Sequence, residues 1–100
     1  MIRHYDVCRL KERADQLVVV LQHDITDQLE TRIVAPLSDR PYRKVIDRVR
    51  LPVDFDGDHY IVQLDRLSAI DRRAIGTVVG SLVAHEQRIK NALDLLFFGV

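Results

Sequence analysis

The stretch Leu51-Pro-Val-Asp-Phe-Asp-Gly-Asp-His-Tyr-Ile-Val-Gln-Leu64 contains the clearest structural signal in the sequence. Apolar residues occupy alternate positions on both sides of Asp56-Gly57-Asp58, which is the period of a strand with one buried face. Asp-Gly supplies the positive backbone angles that a tight turn between strands requires. The stretch therefore predicts a β-hairpin. Its alternating apolar residues are Leu51, Val53, Phe55, Tyr60, Val62 and Leu64.

Two more strands are predicted at the amino-terminal end. Residues 2–9 alternate loosely, residues 17–21 form the run Leu-Val-Val-Val-Leu, and the polar residues 11–16 connect them as an antiparallel pair. Because every residue of the second strand is apolar, we expect that strand to be buried on both faces.

The next segment combines a loop with a third strand. Residues 22–31 show no sustained period and predict a loop that carries Ile25 and Leu29. Arg32-Ile-Val-Ala-Pro-Leu37 predicts a strand. Pro36 has no N–H to donate, so it is expected at a sheet edge or at the end of the strand.

Shorter segments complete the predicted sheet. Residues 38–44 resemble a turn, and residues 45–51 fit either a short helix or a strand, with strand preferred. Residues 66–70 predict another strand, 71–73 a turn, and 75–82 an extended segment. Five or more short strands before one terminal helix predict a mainly β, α+β fold, namely a small curved antiparallel sheet or SH3-like barrel with a C-terminal helix.

The last stretch, Arg88-Ile-Lys-Asn-Ala-Leu-Asp-Leu-Leu-Phe-Phe-Gly-Val100, predicts an amphipathic helix. At 3.6 residues per turn its core-facing residues are Ile89, Ala92, Leu93, Leu96 and Phe97. The opposite face carries Gln87, Asn91 and Asp94 and then ends in Phe98. Gly99 favours the left-handed backbone that ends many helices. Periodicity alone leaves open whether a neighbouring loop, a second copy of the chain or a binding partner covers Phe98.

Composition restricts the class of protein. The 100 residues carry 15 basic and 15 acidic side chains, and 47% are hydrophobic, which indicates one globular domain spanning residues 1–100. No long basic block is present, so direct capture of nucleic acid is not favoured. Cys8 has no second cysteine to pair with, and the longest apolar run, residues 17–21, is far too short to cross a membrane. We expect a cytoplasmic protein.

Catalytic and metal-binding motifs are weak or missing. The acidic residues around Gly57 lack the closing glutamate of a calcium loop, and the four histidines have no ligand spacing. The serines and Cys8 lie outside any nucleophile elbow, and no Gly-Lys-Ser/Thr follows Gly76 or Gly80. The residues therefore favour binding over catalysis, with no metal and no cofactor.

Two stretches resemble the CcdB family, the gyrase-poisoning toxins of bacterial toxin-antitoxin pairs. The first runs from Ala74-Ile-Gly76 through Leu82 and His85 to Ile-Lys-Asn-Ala-Leu-Asp-Leu-Leu-Phe-Phe-Gly-Val100. The second is Leu17-Val-Val-Val-Leu-Gln-His-Asp-Ile25 with Asp27 and then Arg32-Ile-Val-Ala-Pro-Leu37. Together they cover about half of the chain.

The resemblance implies a homodimer whose helix ends enter the central cavity of the A subunit of DNA gyrase. There the terminal aromatic stacks on an arginine and traps the enzyme with its DNA cleaved. A cognate antitoxin is also implied, with DNA contacted only through gyrase or that antitoxin. The family's Trp-Gly-Ile ending falls on Phe98, Gly99 and Val100. The implied gyrase-binding residues are Phe98, Gly99, Val100, Asp94, Asn91, Gln87, Ile25 and Thr26.

Three of these positions differ from the family pattern. Phe98 replaces tryptophan, Asp94 stands where the best-known member has an amide, and Thr26 takes an aliphatic place beside Ile25.

Two other functions remain open. One is a MazF-like endoribonuclease, which would need a basic groove with a positioned arginine and an acid-base partner. Arg32 or the 40–44 turn is a candidate for that arginine, although the Gly-Asp-Ile start and Arg-Pro strand of that branch are absent. The other is a module that keeps the fold and antitoxin binding without acting on gyrase.

Overall fold

The structure is a computed structural model that describes residues 2–39 and 48–100. Within these ranges the chain forms seven strands and one α-helix. The strands are β1 (Asp6–Leu10), β2 (Leu17–Val20), β3 (Thr31–Ser38), β4 (Arg50–Phe55), β5 (Asp58–Gln63), β6 (Ser68–Asp71) and β7 (Ile75–Ser81), and the helix is α1 (Glu86–Phe98). The predicted fold, a mainly β domain with a C-terminal helix, is confirmed.

The seven strands form one curved antiparallel sheet in the order β4-β5-β3-β2-β1-β7, and β6 pairs with the first half of β3. The sheet does not close by strand pairing within the described ranges, but the two end strands approach each other. A Cβ atom placed on Gly80 of β7 would lie 2.6 Å from the Phe55 ring of β4. Gly80 therefore lets an aromatic ring bridge the two edges of the sheet.

The hairpin predicted at residues 51–64 is confirmed as β4 and β5, which pair from Arg50 with Gln63 to Phe55 with Asp58. Asp56 and Gly57 have φ angles of 53° and 83°, the positive values that a two-residue hairpin turn requires. Leu64 lies just beyond β5, in a 3₁₀ turn spanning Leu64–Arg66, and is fully buried there.

The antiparallel pair β1 and β2 is confirmed, and all four residues of β2 are buried. The reason is that β2 separates two apolar clusters. Leu17 and Val19 belong to the larger cluster, which also contains Ile89 of α1, whereas Val18 and Val20 belong to a smaller cluster with Cys8, Val34 and Ile75.

Pro36 was predicted at a sheet edge or at the end of its strand, but it lies within β3, two residues before the strand ends at Ser38, and is not at an edge. β3 is a central strand that pairs with β2 on one side and changes partner on the other. Thr31 to Val34 pair with β6, and Leu37 and Ser38 pair with β5. Pro36 lies between these two ladders, where a missing N–H interrupts the pairing least.

The remaining predicted segments agree in type but shift at their boundaries. The strand predicted at 66–70 begins at Ser68 because a 3₁₀ turn precedes it. The turn predicted at 71–73 is a 3₁₀ turn, Arg72–Ala74, in which the Arg73 N–H donates to Asp71 Oδ1 at 2.8 Å. Most of the turn predicted at 38–44 and the first part of segment 45–51 lie outside the described residues.

Helix α1 packs on the sheet through its first two turns only. Ile89 and Ala92 are buried, and Leu93 packs partly buried against the larger cluster. Leu96 and Phe97 were expected on the same buried face, but 37% and 60% of their surfaces are exposed, so that expectation is wrong for a single chain. The last turns of the helix extend beyond the core that the sheet provides.

Candidate functional site

The end of α1 presents an apolar tip to solvent. Phe98 is 76% exposed and Val100 is 89% exposed, so no described loop of the same chain covers the aromatic ring. Gly99 has a left-handed φ of 76° and donates its N–H to the Leu95 carbonyl at 3.0 Å, which ends the helix as predicted. Within the described residues, nothing of the same chain covers the tip, so it is available to another molecule or to a second copy of the chain.

The polar face of α1 is also present as predicted. Gln87, Asn91 and Asp94 are all exposed, and Gln87 Nε2 donates to Asn91 Oδ1 at 2.9 Å across one helical turn. Lys90 lies 4.0 Å from the Glu86 carboxylate along a neighbouring stripe. Their proposed part in binding gyrase stays a prediction.

Ile25 lies on the 3₁₀ turn Asp24–Thr26 and is 82% exposed. His23 begins this turn, and its Nδ1 accepts a hydrogen bond from the Ile25 N–H at 3.0 Å. Thr26 Oγ1 donates to the His23 carbonyl at 2.8 Å. The Thr26 hydroxyl is thus used to hold the turn, while the Ile25 side chain is left free for contact.

Arg32 and Gln22 support this loop from beneath. The Arg32 guanidinium, only 7% of whose residue surface is exposed, donates to the carbonyls of Leu29 (2.6 Å), Thr31 (2.9 Å) and Asp27. Gln22 Nε2 donates to the Thr26 carbonyl at 3.1 Å, and its Oε1 accepts from a β3 amide. Sequence reasoning considered Arg32 for catalysis, but the structure uses its donors to hold the loop backbone.

The structure also shows a connection between this loop and the helix that was not predicted from the sequence. The His4 N–H donates to Asp24 Oδ1 at 2.7 Å, and the His4 ring stacks on Tyr5 with a centroid distance of 3.7 Å. The Tyr5 hydroxyl lies near the Glu86 carboxylate of α1, and burial together with that carboxylate raises the pKa of Tyr5 to about 12. No pattern in the sequence indicates this arrangement, because Tyr5 adopts a left-handed φ of 70°.

The predicted binding residues form two patches on one chain. The loop that carries Ile25 is joined through His4 and Tyr5 to the region near Glu86, where the helix begins. Phe98 lies 12 residues farther along the helix, roughly 18 Å away at 1.5 Å per residue. One chain therefore offers a loop patch beside the first turns of α1 and an apolar tip at its end.

The described residues offer little for metal or nucleophilic chemistry. They contain no group of three or more His, Cys, Asp or Glu side chains arranged to hold a metal ion. Cys8 is buried, and burial raises the pKa of its thiol to about 11, so it is protonated and unreactive at neutral pH. No described helix has both the length and the apolar character needed to cross a membrane.

A groove of about 940 Å³ runs along the strands away from α1. Among the described residues, four arginines contribute to its lining, together with acidic side chains such as Asp56 and Asp58. Arg50 is held by Asp65 at 2.7 Å, and its hydrogen bonds keep the pKa of that carboxyl below the usual range. The four arginines of the groove are Arg9, Arg13, Arg50 and Arg66.

A family model described as "CcdB protein" matches residues 4–99. Among solved structures, the chain is similar to an Mtb toxin, with 22% identity, a TM-score of 0.75, and coverage of 91% of this chain and 99% of that one. It is also similar to the Mycobacterium tuberculosis toxin MazF-mt6, with 21% identity, a TM-score of 0.73, and coverage of 95% and 96%.

A third similar structure is a mycobacterial endoribonuclease in complex with its cognate antitoxin. The identity is 14%, the TM-score is 0.69, and the match covers 94% of this chain and 91% of that one. At such identities these structures establish the shared fold, whereas the family match identifies the branch.

Proposed function

The chain belongs to the CcdB family of toxins from toxin-antitoxin pairs, and we propose that it binds the A subunit of DNA gyrase through the end of α1 and traps the cleaved gyrase-DNA complex. The observation that carries the proposal is the apolar tip. Phe98 lies on the polar face of the helix, and no described part of the chain covers it, as is typical of an apolar side chain that contacts a partner.

The tip is suited to stacking on a cation. A phenylalanine ring over an arginine guanidinium contributes about 0.5 to 2 kcal/mol, depending on how much water is excluded. No atom lies within 4 Å of a Cβ built on Gly99, so the glycine is required by its positive φ and by the approach of a target rather than by crowding within the chain. The exposed Asp94 carboxylate, one turn before Phe98, favours a second cation on the target.

We propose a homodimer as the active form. Leu96 and Phe97 leave a large apolar area next to the tip, and a second copy of the chain would bury it while bringing two tips together. Phe97→Ser should therefore shift the protein towards monomer in sedimentation equilibrium, while Phe97→Leu keeps the dimer. An unchanged dimer in Phe97→Ser would place the interface elsewhere.

The remaining features of the proposal follow the family. We propose that residues 1–100 act as one domain in the cytoplasm, without a cofactor and without enzymatic activity of their own. We also propose a cognate antitoxin as partner, which is supported by the similar fold that is known in complex with its antitoxin.

A MazF-like endoribonuclease is the second candidate. It is supported by the names of the similar structures and by the groove that four arginines line. Arg32 argues against it, because this arginine is buried and its guanidinium donates to three backbone carbonyls. The third candidate is a module that binds antitoxin without acting on gyrase.

A gyrase cleavage assay tests the proposal. Purified protein is incubated with gyrase of the source organism, ATP and supercoiled plasmid, and the reaction is stopped with detergent and protease. We expect linear DNA with the parent and with Val83→Ala, a control that shortens an apolar side chain exposed outside the proposed contact, but not with Phe98→Ala.

Two results would contradict the proposal. Absence of linear DNA with the parent would exclude poisoning of that gyrase, and equal cleavage by parent and Phe98→Ala would exclude the tip as the contact. Cleavage of single-stranded RNA by the parent, lost on substitution of groove arginines, would establish the second candidate.

A further inference from the structure

Tyr5 is a strained residue at the junction of three elements. Its φ of 70° is a left-handed value that a bulky side chain rarely adopts, yet the residue is 3% exposed and lies in the larger core cluster. Its N–H donates to the Val20 carbonyl at 2.7 Å, and its carbonyl accepts from the Leu82 N–H at 2.8 Å. Contacts with the end of β2 and with the segment before α1 therefore hold this conformation.

The strained backbone places His4 and Tyr5 so that they face different elements. The rings stack with an interplanar angle of 16°, and the His4 N–H is directed at Asp24 in the Ile25 loop. The His23 ring, which begins that loop, lies edge-on to His4 with a centroid distance of 5.6 Å. On its other side the Tyr5 ring packs in the larger core cluster with Ile89 of α1, and its hydroxyl lies near the Glu86 carboxylate.

These contacts form one continuous connection from the loop to the helix. It runs from Asp24 to His4 by a hydrogen bond, from His4 to Tyr5 by stacking, and from Tyr5 to α1 by packing in the larger core cluster. We call His4 and Tyr5 the connector. Burial and the nearby His23 lower the pKa of His4, which keeps its ring neutral in this position at neutral pH.

We propose that the connector is a positioning element, which holds the Ile25 loop at a fixed place beside α1 so that the loop and the helix face meet a target as one rigid surface. This inference rests on the proposed function, because the target tested is the A subunit of gyrase. A surface that is ordered before binding loses less conformational freedom on binding, so a loose loop would weaken the complex without removing any contact residue.

The first experiment measures the affinity of the full chain for the purified A subunit of gyrase. Asp24→Ala removes the acceptor of the His4 N–H and should weaken binding roughly tenfold in the parent, but less than about twofold in Ile25→Ala, where the loop no longer contributes its contact. Asp24→Asn retains an Oδ1 acceptor and should restore affinity. Asp27→Ala, which removes a charge from the same loop but keeps the carbonyl held by Arg32, is the matched control.

If Asp24→Ala weakened binding equally in the parent and in Ile25→Ala, the inference would be overturned, because general destabilisation would weaken both proteins alike. An equal loss in Asp24→Asn and Asp24→Ala would also overturn it, since charge rather than the hydrogen bond would then be responsible.

A second experiment tests the connector in the free protein, so its result does not depend on which target the protein binds. Tyr5→Phe keeps the ring and its stacking but removes the hydroxyl, which lies near the Glu86 carboxylate of α1. In the free protein we expect this change to speed amide hydrogen exchange at least about threefold at Thr26, Asp27 and Leu29, whose N–H groups are hydrogen-bonded within the loop. Unchanged exchange would overturn the connector. Absence of gyrase binding by the parent, with faster exchange in Tyr5→Phe, would contradict the proposed function alone.

Discussion

The two halves of helix α1 carry similar apolar residues but lie in different surroundings. Ile89 and Ala92, in the first half, are buried against the sheet. Phe97 and Phe98, in the second half, are exposed, with ring centroids 6.5 Å apart. Phe97 follows the same apolar period as Ile89 and Ala92, so its exposure comes from where the sheet ends, whereas Phe98 lies on the opposite, polar face. The first half stabilises the fold, and the second is available for binding.

Truncation in the packed half should produce the largest loss of stability. Ile89 is fully buried in the larger core cluster. Ile89→Ala should lower the free energy of unfolding by about 2 to 5 kcal/mol, because it removes buried methyl groups and leaves a cavity. Chemical denaturation monitored by circular dichroism measures this. A loss below about 1 kcal/mol would mean that the first half is not packed as described.

Leu93 marks the boundary between the halves and should give an intermediate effect. It packs against the core but remains partly exposed. Leu93→Ala should cost about 1 to 2 kcal/mol, because only part of the side chain loses buried contacts. The same denaturation experiment compares it with Ile89→Ala. A cost as large as that of Ile89→Ala would move the boundary towards the tip.

Acidification should lower the free energy of unfolding through His4, which lies near the first half of α1. His4 faces His23 and Asp24 of the loop and Glu86 and Lys90 of the helix. Burial, then His23, lowers its pKa in the folded state below the ordinary 6.5, so the unfolded chain binds the proton more readily. This contribution to stability is present above about pH 6.5 and is lost as the pH falls through the folded pKa.

Denaturation between pH 7.5 and 5 measures the effect, which should be smaller than that of Leu93→Ala. His4→Gln cannot titrate and should show a flatter pH dependence. An identical slope in the parent and in His4→Gln would assign the pH dependence to other groups.

Truncation at the tip should have the smallest effect on stability. Phe98→Ala should change the free energy of unfolding by less than about 0.5 kcal/mol, because the ring is solvent-exposed and makes no core contact. If Phe98→Ala lost DNA cleavage but kept its stability, the second half of the helix would contribute to binding and not to folding. A large stability loss would show instead that Phe98 is covered, as it would be within a dimer interface.

Several parts of the fold could be predicted because local chemistry decides them. The positive backbone angles of Asp56-Gly57 determine the hairpin turn, the left-handed Gly99 determines the helix end, and an all-apolar β2 must be buried on both faces. The placement of Ile25 on a loop and of Phe98 on the polar face of the helix was also predicted, whereas the sequence left open whether Phe98 is covered, and the binding of both residues to gyrase is a proposal.

The incorrect expectations concern residues whose place depends on distant parts of the chain. Pro36 lies where β3 changes partners, so its position depends on where β5 and β6 pair. Phe97 follows the apolar period of α1 but extends past the sheet. Arg32 was considered as a candidate catalytic arginine, yet the loop backbone surrounds its guanidinium.

The sequence by itself determined the strand and helix types, their turns and the apolar face of the helix, because these depend on alternation, helical period and the backbone freedom of glycine. Only the tertiary structure decided which half of that face is covered, that Arg32 holds the Ile25 loop, and that a strained Tyr5 joins this loop to α1. The physical reason is that burial and hydrogen bonding between distant segments depend on how far the sheet extends and which backbone groups it leaves unpaired.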